Sequence, residues 1–271
     1  MKIAIQGIAG SFHHEAAIQI LGHDIELLYC DTFQQVFDAV QGKAATNGIV
    51  AVENSLYGSI NAVYRLLART HLWVQGETTL HISQYLIAAH NQPLEQIHTV
   101  MSQAPALAQC ELWLTENMPK AHLEETHDTA DSVRFVVAHP ERRLAAIASK
   151  HAAEMYKGTI IAGPINDETH NYTRFFLLGK DKLLNPKATK TSIILETNHQ
   201  PAALYNALGA FASAGINLSK LDSHPIATDK NHYAFYVDFD TGLGGDFNHP
   251  VLDKLRSQGC KVTILGSYFP T

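Results

Sequence analysis

The chain has 271 residues, 46% of them hydrophobic and 17% charged, with a formal net charge of −6. That much apolar material with so little charge specifies a compact protein of one large or two modest domains and excludes a disordered chain. The negative balance excludes a general attraction to nucleic acid or to an anionic membrane, so an anionic ligand would have to be held by local groups.

Lys2 to Gln6 is predicted as a strand, Gly7 to Ser11 as a turn, and Phe12 to Leu21 as a helix capped by Ser11, with His14 and Glu15 in its first turn. A glycine turn feeding a helix presents bare N–H groups and suits an anion. There is no third glycine at dinucleotide spacing and no Gly-Lys-Thr/Ser, so a small carboxylate fits better than a nucleotide. After a strand at Ile25 to Tyr29 and a helix at Phe33 to Val40, the run Gly48 to Val52 reads as a buried strand. It ends on Glu53-Asn54-Ser55, and open α/β sheets bind ligands off the carboxyl ends of their strands. Asn54 or Ser55 also qualifies as a cap for the helix predicted over Ser59 to Ala68, but capping leaves Glu53 unexplained.

Further strands are predicted at Leu72 to Glu77, Tyr85 to Ala89, Thr99 to Met101 and Ile160 to Ala162. Helices are predicted at Pro105 to Leu114, Ala130 to Val137 and Leu144 to Tyr156. This alternation is that of an α/β sheet protein. Asn171-Tyr172-Thr173-Arg174-Phe175 then runs into the apolar stretch Phe176 to Gly179. A hydroxyl and a guanidinium thus stand side by side at the threshold of a buried strand, where polar groups are costly unless paired.

Residues 181–190 are polar, basic and interrupted by Pro186, and read as a linker. Beyond it the predicted order is strand, helix, strand, strand, helix, strand: Thr191 to Glu196, Ala202 to Ala214, Asn217 to Leu221, Tyr233 to Asp238, Pro250 to Ser257 and Lys261 to Ser267. That is a ferredoxin-like βαββαβ pattern. Cys30, Cys110 and Cys260 are odd in number, far apart and form no ligand pair, which points to a reducing, cytoplasmic setting. The 16 histidines are scattered without His-Glu-x-x-His spacing, so no metal is expected. No segment approaches a membrane span, and the apolar start Met1 to Gln6 is too short for a signal-peptide core.

Several segments together resemble the prephenate dehydratase family. They are Gly10-Ser11-Phe12 with His14-Glu15-Ala16-Ala17, Val52-Glu53-Asn54-Ser55 with Gly58, Ala106-Leu107-Ala108-Gln109-Cys110, Ala145 to Ser149 continuing through Ala152 to Tyr156, and Asn171 to Phe175. Order and approximate spacing agree over nearly the whole chain. The resemblance implies a two-lobed catalytic domain over residues 1–180, similar to type II periplasmic binding proteins. Its lobes would be 1–77 with 159–180, and 78–158. The segment Gly215 to Pro225 resembles part of an ACT domain, a small amino-acid-binding regulatory module, here 191–271. Such modules commonly pair between chains, implying a homodimer or homotetramer.

The implied reaction is loss of carbon dioxide and water from prephenate, giving phenylpyruvate on the route to L-phenylalanine. Aromatisation drives it, so no cofactor is required. In the family the threonine of Thr-Arg-Phe is catalytic, which carries over to Thr173. A hydroxyl is too weak an acid to release its proton, so Thr173 is expected to donate a hydrogen bond to the leaving oxygen. Glu53 is the candidate proton source; the alternative is that it stays ionised and orients Asn54, Ser55 or Arg174. Arg174 is expected to hold a substrate carboxylate or an ion pair across the cleft, and Ser11, Asn54 and Ser55 to bind substrate carboxylates. Phe175 is carried over with the motif, although alternation turns it from Arg174's face and suggests packing. His14 reads as a capping or core residue.

The chain departs from the family where Gln103, Ala104 and Pro105 replace a His-Pro-Gln; the helix survives with proline in its first turn, but an amide contact is lost. Ala203, Leu204, Asn217, Leu218, Asp222, Ser223, His224 and Pro225 are the implied ligands of phenylalanine as effector. Asp222 and His224 stand where the family has Glu and Arg, and Ala202 where it has glycine, so effector binding is expected to be weaker or altered. Two rivals remain: an arogenate dehydratase, performing the same chemistry on the amino analogue, and a non-catalytic amino-acid sensor.

Overall fold

The computed structural model describes residues 1–183, 185–225, 233–244 and 247–271; Leu184, within the expected linker, lies outside them. The first elements are β1 (Lys2–Gln6), α1 (Phe12–Leu21), β2 (Glu26–Cys30), α2 (Phe33–Gln41), β3 (Asn47–Asn54), β4 (Gly58–Ser59), α3 (Asn61–Arg69) and β5 (Trp73–His81). There follow β6 (Tyr85–Ala88), β7 (Thr99–Ser102), α4 (Ala104–Ala108), α5 (Glu111–Asn117), β8 (His122–Glu125), α6 (Thr129–Ala138), β9 (Leu144–Ala148), α7 (Lys150–Tyr156), β10 (Thr159–Ala162) and β11 (Tyr172–Gly179).

Two sheets result. One has the order β2-β1-β3-β11-β5, with β4 folded back on β3. The other has the order β10-β6-β9-β7-β8. In the first, β1 is parallel to both β2 and β3, with Ile3, Ala4 and Ile5 fully buried. In the second, β9 is antiparallel to β6 and parallel to β7. Strand β10 joins this second sheet through β6 rather than returning to the first lobe, as the expected boundary at 158 required.

The chain forms two compact units, Met1–Val63 with Thr79–Phe175, and Tyr64–Thr78 with Phe176–Thr271. This differs from the expected 1–180 and 191–271. The reason lies in packing within the second unit. There the buried Glu77 takes a 2.7 Å ion pair from Lys190 and a hydrogen bond from Tyr268, and Tyr236 donates to the carbonyl of Tyr64.

The second unit also contains β12 (Lys190–Glu196), α8 (Ala203–Ser213), β13 (Leu218–Pro225), β14 (Tyr233–Phe239), α9 (Pro250–Ser257) and β15 (Lys261–Tyr268). Its sheet, β13-β14-β12-β15, is antiparallel throughout, the strand order of a ferredoxin-like fold. Ile193, Leu195, Phe211, Val237, Phe239, Leu252 and Leu255 form its core, and alternate residues of β12 supply the first two.

Three predicted helices change. Leu144 to Ala148 is a strand, not the start of a helix: all five residues are buried between β6 and β7, and Ser149 Oγ accepts from Ala152 N to begin α7 only afterwards. Alanine's helix propensity is overridden by the fit of small side chains between the layers. The helix expected over Pro105 to Leu114 breaks into α4 and α5, because the Asp167 carboxylate accepts from Leu112 N and Trp113 N and caps α5 from a distant segment. Helix α3 starts only at Asn61, after β4, so neither Asn54 nor Ser55 caps it. The polar, exposed β8 escaped the sequence reading because it has no apolar face.

Candidate active site

A cavity of about 310 Å³ lies within the first unit. From the first sheet and α1 it takes Gln6, Ser11, His13, Asn54, Thr173 and Phe175; from the second-sheet side it takes Gln84, Gln103, Gln109 and Asp128. Alternation on β11 sends Thr173 and Phe175 to the cavity.

Asn54 organises the reactive edge. Its Oδ1 accepts from Leu56 N and Tyr57 N at 3.0 and 3.2 Å, closing the turn into β4. Backbone N–H groups can only donate, so this assignment of the amide is forced. The Nδ2 group is then the donor, to Asn171 Oδ1 at 2.8 Å and Thr173 Oγ1 at 2.9 Å. Thr173 therefore accepts from Asn54, and its own proton is directed elsewhere.

Ser11 caps α1 by accepting from His14 N at 3.3 Å, and it lines the cavity. The next two residues have separate duties. His13 Nε2 accepts from Ala51 N at 3.1 Å while its ring meets Phe175 edge-on at 5.2 Å; burial lowers its pKa to about 4, so it is neutral. His14 Nδ1 accepts from Gly10 N at 3.0 Å, closing the turn. Burial first, then His151 and His23, lower its pKa to about 4 as well. His14 is thus the buried structural residue the sequence suggested.

The expected convergence of alcohol, acid and cation is met only by the alcohol. Glu53 and Arg174 are not among the described residues lining the cavity; Arg174 Nη1 lies 3.8 Å from Glu53 Oε2. The pair ties β3 to β11, a geometry in which Glu53 orients Arg174. Ser55 does not line the cavity either. Its Oγ donates to His170 O and accepts from Tyr172 N, and its N–H donates to Tyr172 O, stapling the two strand ends. Phe175 is 1% exposed and packs, as expected, yet its face forms part of the cavity wall.

The sequence reading missed Asp128, Gln84 and His13. Asp128 caps α6, its Oδ1 accepting from Ala130 N at 2.8 Å and Asp131 N at 3.0 Å. Burial raises its pKa, opposed by those two bonds. The Asp-x-x-Asp before an apolar run announces a cap, but nothing in it announces a cavity. Gln84 donates to Gln109 Oε1 at 3.2 Å. At the mouth Tyr57 donates to Pro105 O, so the segment that departs from the family lines the cavity through Gln103 and Pro105. Among the described residues there is no group of three or more His, Cys, Asp or Glu placed to hold a metal, and no helix long and apolar enough to cross a membrane.

The family model described as prephenate dehydratase matches residues 3–183. The chain belongs to the prephenate dehydratase family. It is 33% identical over 268 residues to the bifunctional chorismate mutase/prephenate dehydratase of Aquifex aeolicus, covering 99% of this chain and 73% of that one. It is 32% identical over 281 residues to arogenate dehydratase/prephenate dehydratase 2 of Arabidopsis thaliana, with 99% and 72% covered. A solved prephenate dehydratase from Arthrobacter aurescens, in complex with L-Phe, superposes with a TM-score of 0.88 at 27% identity, covering 99% of this chain and 89% of that one. Members of this family are enzymes, and so is this chain.

The residues carried over as effector ligands all lie in the second unit. Ala203 and Leu204 open α8, and Asn217 donates to Asp240 at 2.8 Å just before Leu218. Asp222, Ser223, His224 and Pro225 lie on β13, with His224 Nε2 3.1 Å from Asp222 Oδ2 and its ring beside those of Tyr64 and Tyr236. In register Glu196 faces Ala234 and Ala234 faces His224, so the exit of β12 toward α8 and the Asp222–His224 segment share one end of the sheet.

Proposed function

We propose that the chain catalyses the decarboxylating dehydration of prephenate or its amino analogue arogenate, completing the carbon skeleton of L-phenylalanine. The carrying observation is the 2.9 Å bond from Asn54 Nδ2 to Thr173 Oγ1, which leaves the threonine as a hydrogen-bond donor in a cavity. Departure of the ring carboxylate as carbon dioxide releases an electron pair into the ring. The pair shifts one of the two ring alkenes and expels the hydroxyl from the opposite carbon, the second alkene staying in place as the ring becomes aromatic. Thr173 stabilises the charge developing on that oxygen, and solvent supplies the proton that completes the water. The apolar wall of Phe175, Ile60 and Ile82 disfavours the ring carboxylate relative to neutral carbon dioxide. The carboxylates find neutral donors in Ser11 and the side-chain amides that line the cavity.

Residues 191–271, within the second unit, are proposed to be an ACT module that binds phenylalanine between two copies of the chain, at the sheet end where Ala203, Leu204 and Asp222 to Pro225 gather. The family relationship and the ferredoxin-like strand order support this. The three buried free cysteines accord with a cytoplasmic protein.

The test is incubation of the purified chain with prephenate and, separately, arogenate, following phenylpyruvate and phenylalanine. A sensor gives neither product. A titration calorimeter, with phenylalanine added to the protein, tests the effector site: no heat and no change in activity would remove it.

A further inference from the structure

The cavity has an unusual electrostatic make-up for a site meant to hold an anion. None of the described residues lining it is Lys or Arg, and His13 is neutral. Among the described lining residues Asp128 is the single carboxylic acid. Burial raises its pKa, and against that α6 directs two backbone N–H groups at Oδ1 with ten residues of helix behind them, which favours the carboxylate form. Its acidic neighbour Asp131 is itself paired with Arg134 at 2.5 Å. Oδ2 lies against Gly7: a Cβ added there would sit 2.6 Å from it, so the glycine at φ +95° leaves room for the carboxylate beside the turn that feeds α1.

A buried polar residue besides Asp128 also lines the cavity. Gln84 is 2% exposed, and its Oε1 is buried with no hydrogen-bond partner among the described residues, while its Nε2 is engaged by Gln109. A carboxylate in a cavity whose described lining holds no Lys or Arg favours a ligand that brings positive charge. Prephenate brings two carboxylates and a ketone; arogenate brings an ammonium in place of the ketone.

We propose that Asp128 selects the substrate by pairing with the ammonium of arogenate, making this chain an enzyme that prefers the amino-acid form. This rests on the dehydratase reading and deepens it. In its carboxylate form Asp128, with no Lys or Arg among the described lining residues, would repel the ketone-bearing dianion and attract the ammonium, so one residue acts on both substrates with opposite sign.

The experiment measures kcat/KM for arogenate and prephenate in the wild type and in Asp128→Asn and Asp128→Ser. Both replacements keep an N-cap acceptor for α6 and remove only the charge. The wild type is expected to prefer arogenate. In either variant the arogenate-to-prephenate ratio should fall by about tenfold or more, chiefly through KM for arogenate, since a lost ion pair acts on binding. A wild type that prefers prephenate, or variants that slow both substrates equally, would overturn the role of Asp128 while leaving the dehydratase reading intact. Turnover of neither substrate by the wild type would overturn both.

Discussion

Asn54 and Thr173 are 119 residues apart in the chain and 2.9 Å apart in the fold, and the direction of their hydrogen bond determines what the threonine can do. Leu56 and Tyr57 donate to Asn54 Oδ1, which leaves Nδ2 facing Thr173. A hydroxyl that accepts from its neighbour retains its proton for substrate.

Thr173→Ala should therefore lower kcat by about 10²–10³-fold, the usual cost of deleting one donor to a developing oxyanion. Asn54→Asp is the sharper variant. It removes the amide donor and offers an acceptor, turning the Thr173 proton away from the cavity. The double variant should be little worse than the worse single one, because the two residues act as one unit. Steady-state kinetics of the three proteins decide it; additive losses would mean that the two act separately.

Glu53→Gln separates an orienting residue from a proton source. As one half of a 3.8 Å pair with Arg174, Glu53 contributes less than about 1 kcal/mol to stability. Its neutral variant should keep kcat within about tenfold of the wild type, whereas loss of a general acid costs about 10²–10⁴-fold. Measured kcat in that lower range would restore Glu53 to the chemistry.

Protein stability should fall on acidification through a window set by His13. Its pKa is about 4 in the folded state because burial penalises the imidazolium, against an ordinary value of 6.5. Between these values the unfolded chain binds the extra proton, so stability present above pH 6.5 is lost as pH falls toward 4. The full loss is about 3 kcal/mol for this group. His14, lowered in the same direction, adds to the slope. Urea titrations at pH 7 and pH 5 on wild type and His13→Gln check this. Glutamine keeps an acceptor for Ala51 N but does not titrate, so the variant should show the shallower pH dependence.

Asp167→Ala should destabilise the fold by about 1 kcal/mol, the typical value of a lost helix cap. The N–H groups of Leu112 and Trp113 would lose their acceptor. Thermal denaturation followed by circular dichroism should show a melting temperature lower by about 2–4 °C. An unchanged melting curve would indicate that water replaces the carboxylate at no cost.

The α/β alternation, the Ser11 cap, the β-branched run before Glu53 and the C-terminal βαββαβ order were legible in the sequence, because each is written in local spacing. Motif order was likewise enough to suggest the family. What no local pattern carries is which distant groups meet. Leu144 to Ala148 is a strand because β6 and β7 close over it on both sides, and Gln109–Cys110 interrupts a helix because Asp167 arrives from elsewhere to cap the next one. Glu53 and Asn54 are adjacent, yet one pairs with Arg174 and the other lines the cavity, a difference set by strand pairing and the turn into β4. Asp128 reads as an ordinary cap until the fold sets it against Gly7 in a cavity with no Lys or Arg among its described lining residues. Secondary structure follows from short-range periodicity, whereas a site depends on long-range contacts that exist only once the chain has folded.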